Sequence, residues 1–541
     1  MRAADSVDAE RASPTIDSYV GAFTTSPAWD EICAWPPDVF AVTNLVLDHT
    51  EAYRLAVSPP AGSRWPPESG WHEMVRVAAE EWRRAVSEGG TVPEPVAREW
   101  EVVTRHRGLS LESLRRGGAE RVAVALITLH AMADEACSGL SGSDPGSGAD
   151  SFEGRAWALL TGRGSLSRIS PARVRITPKT HLALRGITIR SLSRYLALMY
   201  EAVDVSWHRI DPIVTAGEPS GPVADRRVML LPWPLRVDAR AFKPIETPVD
   251  MDRSAFGFFE FSPDTVLDVA YVERLLEEAT AREGGVDAVI LPEAALAESE
   301  VSLMEELLER RRVPFLVAGV RRPAPRGGLG GNHVHIGLLT DHGWQRYRQE
   351  KHHRWSIDRA QISQYRLSRS LDPARHWWEG IELPPRTLQI IDVGAGGTAA
   401  PLVCEDLARM DEVSDLLRRI GPSLVVAVLL DGPQLATRWP HRYASVITDE
   451  TGSAVLTLSS FGMVRRSRPQ GTRASRVVAL WNDPSSGLHE ITLGRGAGAI
   501  LITVSAERRS AWTADGRRHD RHIPQQTLRR VTQLRVPARA R

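Results

Sequence analysis

Cysteine is scarce in this chain. Its 541 residues hold three, Cys33, Cys137 and Cys404. Three thiols without a CxxC pair make no disulfide framework, and they suit a reducing compartment. Net charge is missing too: Lys+Arg and Asp+Glu are both 67, a formal +0, so no overall field draws the chain to nucleic acid or to an anionic membrane. The longest apolar run, LVVAVLL at 424–430, is far short of the roughly 18 residues that span a bilayer and reads as one buried strand. MRAADSVDAERAS at the N-terminus has no apolar h-region of a secretory signal. No internal repeat is evident. These absences predict a cytoplasmic protein with neither a membrane nor a nucleic-acid partner. What remains, 42% hydrophobic and 25% charged residues, is the composition of a soluble globular chain, long enough for about two to four domains.

Two textures follow one another. Residues 1–26 are polar and read as loose. From 27 to 214 the pattern is helical. AERVAVALITLHAMADEAC (119–137) has few polar positions and reads as a buried helix. SGLSGSDPGSGAD (138–150) reads as a loop. In RSLSRYLALMYEAVDVSW (190–207), Leu192, Tyr195, Leu196, Met199, Ala202 and Val203 share helical spacing and predict one apolar helix face, packing on a neighbour rather than serving as a recognition helix. Beyond the Pro- and Gly-rich TAGEPSGPVADR (215–226), short apolar runs alternate with amphipathic helices up to GAILITVSA (498–506), the mark of an α/β domain. From Glu507 onward ten Arg face three acids, and this basic tail, 507–541, reads as a solvated arm.

Three chemically capable residues share one local setting. Glu293 ends the strand VDAVILPE, Lys351 follows the strand-like GWQRYRQE, and Cys404 ends the strand APLVC. In open α/β folds ligands gather at the carboxyl ends of strands. There a carboxylate can take the proton of a thiol with pKa about 8.5 as the sulfur attacks, and an ammonium can hold the developing anion. The two acids after Cys404 pose a problem, since adjacent carboxylates disfavour a thiolate. Residues diverge at a strand-to-helix turn, so Glu405 and Asp406 need not face the sulfur.

These segments resemble the nitrilase (carbon–nitrogen hydrolase) superfamily, whose catalytic set is Glu–Lys–Cys in that chain order. AVILPEAAL (288–296) is similar to its Glu motif, GNHVHIGLLTDHGWQRYRQEKHH (331–353) to its Lys motif, and PLVCEDLARMDEVSDLLRRIGPSLVVAVLL (401–430) to its Cys motif. The resemblance covers 227–506, about half of the chain. It implies a four-layer α-β-β-α sandwich, preceded here by the mostly α-helical N-terminal region, with no metal and no organic cofactor, often paired into a homo-oligomer. It also implies that Cys404 is the nucleophile, Glu293 the base, and Lys351 with the N–H of Glu405 the oxyanion donors, acting on a small-molecule amide or nitrile. Cys-Glu-Asp is similar to the form in glutaminase domains of glutamine-dependent NAD synthetases and favours an amide.

The chain departs from the family pattern in two places. A second Glu usually follows the Lys soon, whereas KHHRWSIDRAQISQYRL has none; Asp358, or Glu379 from LDPARHWWEGIELPPR (371–386), stands as the substitute. The downstream Arg-Ala-x-Glu-Asn pattern is not clear in RYASVITDETGSAV (442–455). His333 and His335 share a strand face but lack a third ligand, so no metal is expected. The rival function is a defence or regulatory interaction protein. Nitrilase-like domains with the KHHRW context also occur fused to reverse transcriptases in bacterial anti-phage systems. In that reading the N-terminal region binds a protein partner, and the nitrilase-like half is an effector or an inert scaffold.

Overall fold

The structure, a computed structural model, describes residues 13–24, 29–140, 151–161, 173–180, 187–200, 203–209, 224–393, 397–409, 413–468 and 474–536. The chain divides into two compact units, one of Met1–Glu201 with Trp512–His519, the other of Ala202–Ala511 with Asp520–Arg541. Most of the loop expected at 138–150 falls outside the described residues. Among the described residues no helix is long and apolar enough to cross a membrane.

The first unit is built on the helix Glu120–Ala136. Its near-lack of polar positions is explained by burial on all sides, with Leu126, Ile127, Leu129 and Met132 fully covered. Helices Pro36–Thr50, Trp71–Glu88 and Glu94–Arg105 pack on it. Two expectations need correction here. Ile16–Gly21, within the stretch read as loose, is a helix capped by Thr15. Among the described residues of 190–207 the expected helix is absent. Leu196–Met199 is instead a strand antiparallel to Arg175–Pro178, and Asp204–Arg209 is a strand of the second unit. The buried Asp134 carboxylate explains the first change. It accepts the N–H groups of Arg194, Tyr195 and Leu196 at 2.7, 2.8 and 3.1 Å, and the Tyr195 carbonyl accepts from Lys179 N–H at 2.8 Å. With those groups engaged elsewhere, helical spacing alone does not make a helix.

The second unit holds two seven-stranded sheets. One runs, edge to edge, Gly343–Glu350, Gly331–Thr340, Phe315–Arg322, Ala288–Ala297, Ala224–Leu230, Ala499–Trp512, Arg518–Leu534. The other runs Gly487–Thr492, Val477–Asp483, Ala454–Ser459, Leu424–Leu429, Thr398–Val403, Thr387–Asp392, Asp204–Arg209. Alternation along each strand sorts side chains between two interiors. Val289 and Leu291 pack against helices Val269–Glu283 and Glu298–Arg310 through Leu275, Leu276, Met304 and Leu307. Ile290, one residue out of phase, faces the gap between the sheets with Val317, Val426 and Leu456. Helices Val413–Ile420 and Trp439–Thr451 cover the second sheet. The layer order is therefore helix, sheet, sheet, helix, as the resemblance implies.

Local signals fix the element ends. The helix Val269–Glu283 is capped by the Asp268 carboxylate on Tyr271 N–H at 2.9 Å and stopped by Gly284 at φ +80°, the pairing expected at the two ends of a helix. Each of its buried aliphatic side chains, Val272, Leu275 and Leu276, contributes about 1.5–3 kcal/mol of transfer free energy.

The basic tail is a further correction. Ala499–Trp512 and Arg518–Leu534 are long strands, not a solvated arm. Its charges find distant partners: Arg530 meets Glu283 at 3.0 Å, and the buried Arg517 meets Asp515 at 3.0 Å and Glu135 at 2.8 Å. A third, four-stranded sheet joins Ser356–Ile357, His376–Glu379, Phe256–Phe261 and Phe242–Ile245. Its aromatic face, with Phe242, Phe259, Trp355, Tyr365 and Trp377, forms a core that includes Ala294 and Leu430. Trp377, from the insertion 371–386, is packed in this sheet.

Candidate active site

Glu293 stands in a bulge. Leu291 pairs with Ala318 and Leu296 with Val320, so residues 292–295 face Gly319 alone on the neighbouring strand. Excess residues on one strand bend it and re-aim its side chains. Ala294 takes φ +52° to make the bend. A Cβ at Gly319 would lie 2.3 Å from the Pro292 carbonyl oxygen and 2.4 Å from Glu293 Cα; only glycine lets the bulge approach so closely. Arg321 ties down the carbonyls of Ala294 and Ala295 at 2.9 and 3.0 Å.

Lys351 leaves the end of the strand Gly343–Glu350 opposite Asn332, whose carbonyl accepts the Lys351 N–H at 3.1 Å. Cys404 follows the strand Thr398–Val403 and precedes the turn Glu405–Ala408 at φ +48° and ψ −106°. A side chain seldom occupies that backbone region, which costs about 1–3 kcal/mol and persists only where surroundings enforce it. The enforcing bonds are Cys404 N–H to the Val428 carbonyl at 2.9 Å and Leu407 N–H to the Cys404 carbonyl at 3.0 Å.

These three elements converge. Lys351 Nζ donates to Glu293 Oε1 at 2.7 Å and to Glu379 Oε2 at 2.5 Å. The Cys404 thiol lies close enough to Glu293 and Lys351 for both charges to act on it. Leu430 N–H donates to Glu293 Oε2 at 2.5 Å. Asn332 Nδ2 donates to Glu293 Oε1 at 2.8 Å and to Glu379 Oε1 at 2.7 Å. All five side chains are buried, with Glu293 0%, Lys351 1% and Cys404 3% exposed.

Burial and charge set the proton affinities. Burial lifts the Glu293 carboxyl above the usual carboxylate range; Lys351 opposes the rise and Glu379 adds to it. Burial alone would lower Lys351, but the carboxylates of Glu293 and Glu379 outweigh it and hold the ammonium proton well into the alkaline range. Burial, followed by the Glu293 charge, pushes the Cys404 thiol well up. The resting site is thus an ammonium between two carboxyl groups, beside a protonated thiol. A carboxylate with raised proton affinity lies closer to neutrality, where a general base is most effective.

The other sequence-derived candidates are placed as follows. Glu379 comes from the third sheet and sits against Lys351, which lies 28 residues before it in the chain; its Oε2 also accepts Trp355 N–H at 3.1 Å.

 The strand His376–Glu379 delivers that carboxylate through parallel pairing with Phe256–Phe261. Asp358 is elsewhere, a correction to its candidacy: it caps the helix Arg359–Gln364 by accepting Gln361 N–H at 2.8 Å. Glu405 follows the thiol, and its carboxylate meets Arg409 at 3.3 Å. Asp406 turns away from the sulfur and accepts the His352 N–H at 3.1 Å and His353 Nδ1 at 2.8 Å, which ties the cysteine turn to the lysine turn. His335 pairs with Glu305 at 2.9 Å. Among the described residues no group of three or more His, Cys, Asp or Glu side chains is placed to hold a metal ion. Sequence reasoning missed the roles of Asn332 and Leu430. The Asn in GNH was a usable signal, since a buried amide at a strand start needs polar partners.

No protein-family model matches the chain, and no curated protein does. Solved structures similar to it include Saccharomyces cerevisiae Nit3, a member of branch 10 of the nitrilase superfamily. That protein is 14% identical, with 53% of this chain and 92% of that chain covered and a TM-score of 0.33. A carbon–nitrogen hydrolase from Helicobacter pylori G27 is 11% identical over 49% of this chain and 84% of its own, TM-score 0.28. XC1258 from Xanthomonas campestris, a CN-hydrolase superfamily protein with an arsenic adduct in its active site, is 15% identical over 57% of this chain and 91% of its own, TM-score 0.25.

Proposed function

We propose that the second unit is a carbon–nitrogen hydrolase of the amidase type, acting through a thioester on Cys404. The observation that carries this reading is the convergence of the Cys404 thiol, the Glu293 carboxylate and the Lys351 ammonium in one buried cluster. As the sulfur attacks the amide carbon, Glu293 takes the thiol proton. Negative charge then develops on the carbonyl oxygen, where the Lys351 ammonium and the N–H of Glu405 meet it. Glu293 passes its proton to the nitrogen, the C–N bond breaks, and ammonia or an amine leaves. Water then gives a proton to Glu293 and adds to the thioester, the acid departs, and the proton returns to sulfur. Proton transfer of this kind contributes about 10²–10⁴-fold, and an oxyanion donor about 10²–10³-fold. Glu379, held by the same ammonium and by Trp355 N–H, takes the place of the family's second Glu.

The Glu-Asp sequence after Cys404 favours amides over nitriles, with a glutaminase-like reaction as the narrower version. Three unpaired cysteines accord with a reducing, cytoplasmic setting. Ammonia release from a panel of primary amides and nitriles tests the reading. Turnover that disappears in Cys404→Ala supports it, and turnover that survives the substitution refutes it. One observation favours the second reading, a scaffold or partner-controlled effector. The thiol is 3% exposed and the ammonium 1%, so a substrate reaches them only if neighbouring segments move. A protein partner bound through the helical unit would be one means of moving them, and copurification with activation of turnover would reveal it.

A further inference from the structure

Asn332 occupies a position that the chemistry above does not use. Its Nδ2 donates one hydrogen to Glu293 Oε1 at 2.8 Å and the other to Glu379 Oε1 at 2.7 Å. Lys351 Nζ bridges the same two carboxylates, sharing Glu293 Oε1 at 2.7 Å and taking Glu379 Oε2 at 2.5 Å. The four side chains close a hydrogen-bonded ring. Glu293 Oε1 is taken twice inside it, and Glu293 Oε2 lies outside, where Leu430 N–H meets it.

The amide's own oxygen, Oδ1, is buried without a hydrogen-bond partner. Turning the amide over would satisfy nothing and would set that oxygen against two carboxylates. The orientation is therefore fixed by the acids, and an unmet acceptor is tolerated to keep two donors in place. Resting on the hydrolase reading, we propose that Asn332 is a positioning residue that fixes Glu293 for proton transfer and favours its ionised form by donating to Oε1. Two carboxylates share one ammonium, so the ring carries one excess negative charge. Two N–H donors offset that excess without adding a charge, and hydrogen bonds to an ionised group favour the ionised form. The other groups coupled to this cluster are the Cys404 thiol on Glu293, Glu405 on Lys351, and Arg354 on Glu379.

The test needs no substrate. Protein carrying ¹³C-labelled glutamate is titrated by infrared spectroscopy, and the band of the buried protonated carboxyl is assigned by its loss in Glu293→Gln. In Asn332→Leu the midpoint of that band moves up by about one unit or more, a tenfold change in proton binding. In the near-isosteric Asn332→Asp, which keeps the shape of the site, it also moves up. An unchanged or lowered midpoint in either folded variant overturns the proposal. Acylation of Cys404 by amides is read separately on the wild-type protein, so failure of the hydrolase reading and failure of the role of Asn332 are told apart.

Discussion

Replacing Lys351 by methionine removes the cation between two buried carboxylates while keeping a side chain of similar length. Breaking a buried ion pair by deleting one partner costs about 3–5 kcal/mol, because the other charge stays behind. Here two acids stay behind, Glu293 and Glu379, still linked through Asn332. At roughly 2–4 °C per kcal/mol for a unit of this size, Tm at pH 8 falls by roughly 6–20 °C. The pH dependence is the sharper signature. Without the ammonium, burial is left to raise the Glu293 carboxyl in the folded state above its unfolded value of about 4.3. A group raised in this way contributes stability below its unfolded pKa and loses it as pH rises through the folded one. The wild-type Lys351, also raised, keeps its contribution until the pH climbs past the ordinary lysine range. The deficit of Lys351→Met is therefore large at pH 8 and shrinks towards pH 5, as protons replace the missing charge. Thermal unfolding followed by circular dichroism at pH 5, 6, 7 and 8 measures it. An equal deficit at pH 5 and pH 8 would refute the arrangement of one ammonium between two acids.

Three further outcomes follow from the same geometry. Cys404 holds φ +48°, so Cys404→Gly is more stable than Cys404→Ala by about 1 kcal/mol; denaturant unfolding of the pair decides, and equal stabilities would mean the turn is relaxed. Gly319→Ala drives a methyl group into the Pro292 carbonyl and the Glu293 backbone; it costs about 1–3 kcal/mol and lowers turnover by displacing the base, read from Tm and from the kcat of the amide best hydrolysed. Asp406→Ala cuts the link between the cysteine and lysine turns, and kcat drops at least tenfold while KM changes little; a change confined to KM would place Asp406 at the substrate instead.

The strands and helices of the second unit were largely legible because each is short, apolar and punctuated: GWQRYRQE, SLVVAVLLD and SAVLTLSS all match strands within a residue or two. The three motif residues were legible because each stands at the close of a readable apolar run, although only Lys351 and Cys404 follow the end of their strands and Glu293 lies in a bulge within Ala288–Ala297. Four things were not. Phe242–Ile245 and Phe256–Phe261 lack a clean alternation, so the third sheet that delivers Glu379 went unseen. The tail's arginines looked solvated since their partners, such as Glu283 for Arg530, lie far off in sequence. The helical spacing in 190–207 was overridden by the carboxylate of Asp134, 60 residues upstream of Arg194. Asp358 has the right chemistry for the second acid, but capping a helix keeps it out of the cluster.

The most direct measurement is the mass of the intact protein after incubation with a mixed library of amides. The account predicts one acyl adduct, mapped to Cys404 and not to Cys33 or Cys137, absent in Cys404→Ala and strongly reduced in Glu293→Gln. Amide turnover without any adduct at Cys404, or an adduct that forms equally well in Glu293→Gln, would contradict it.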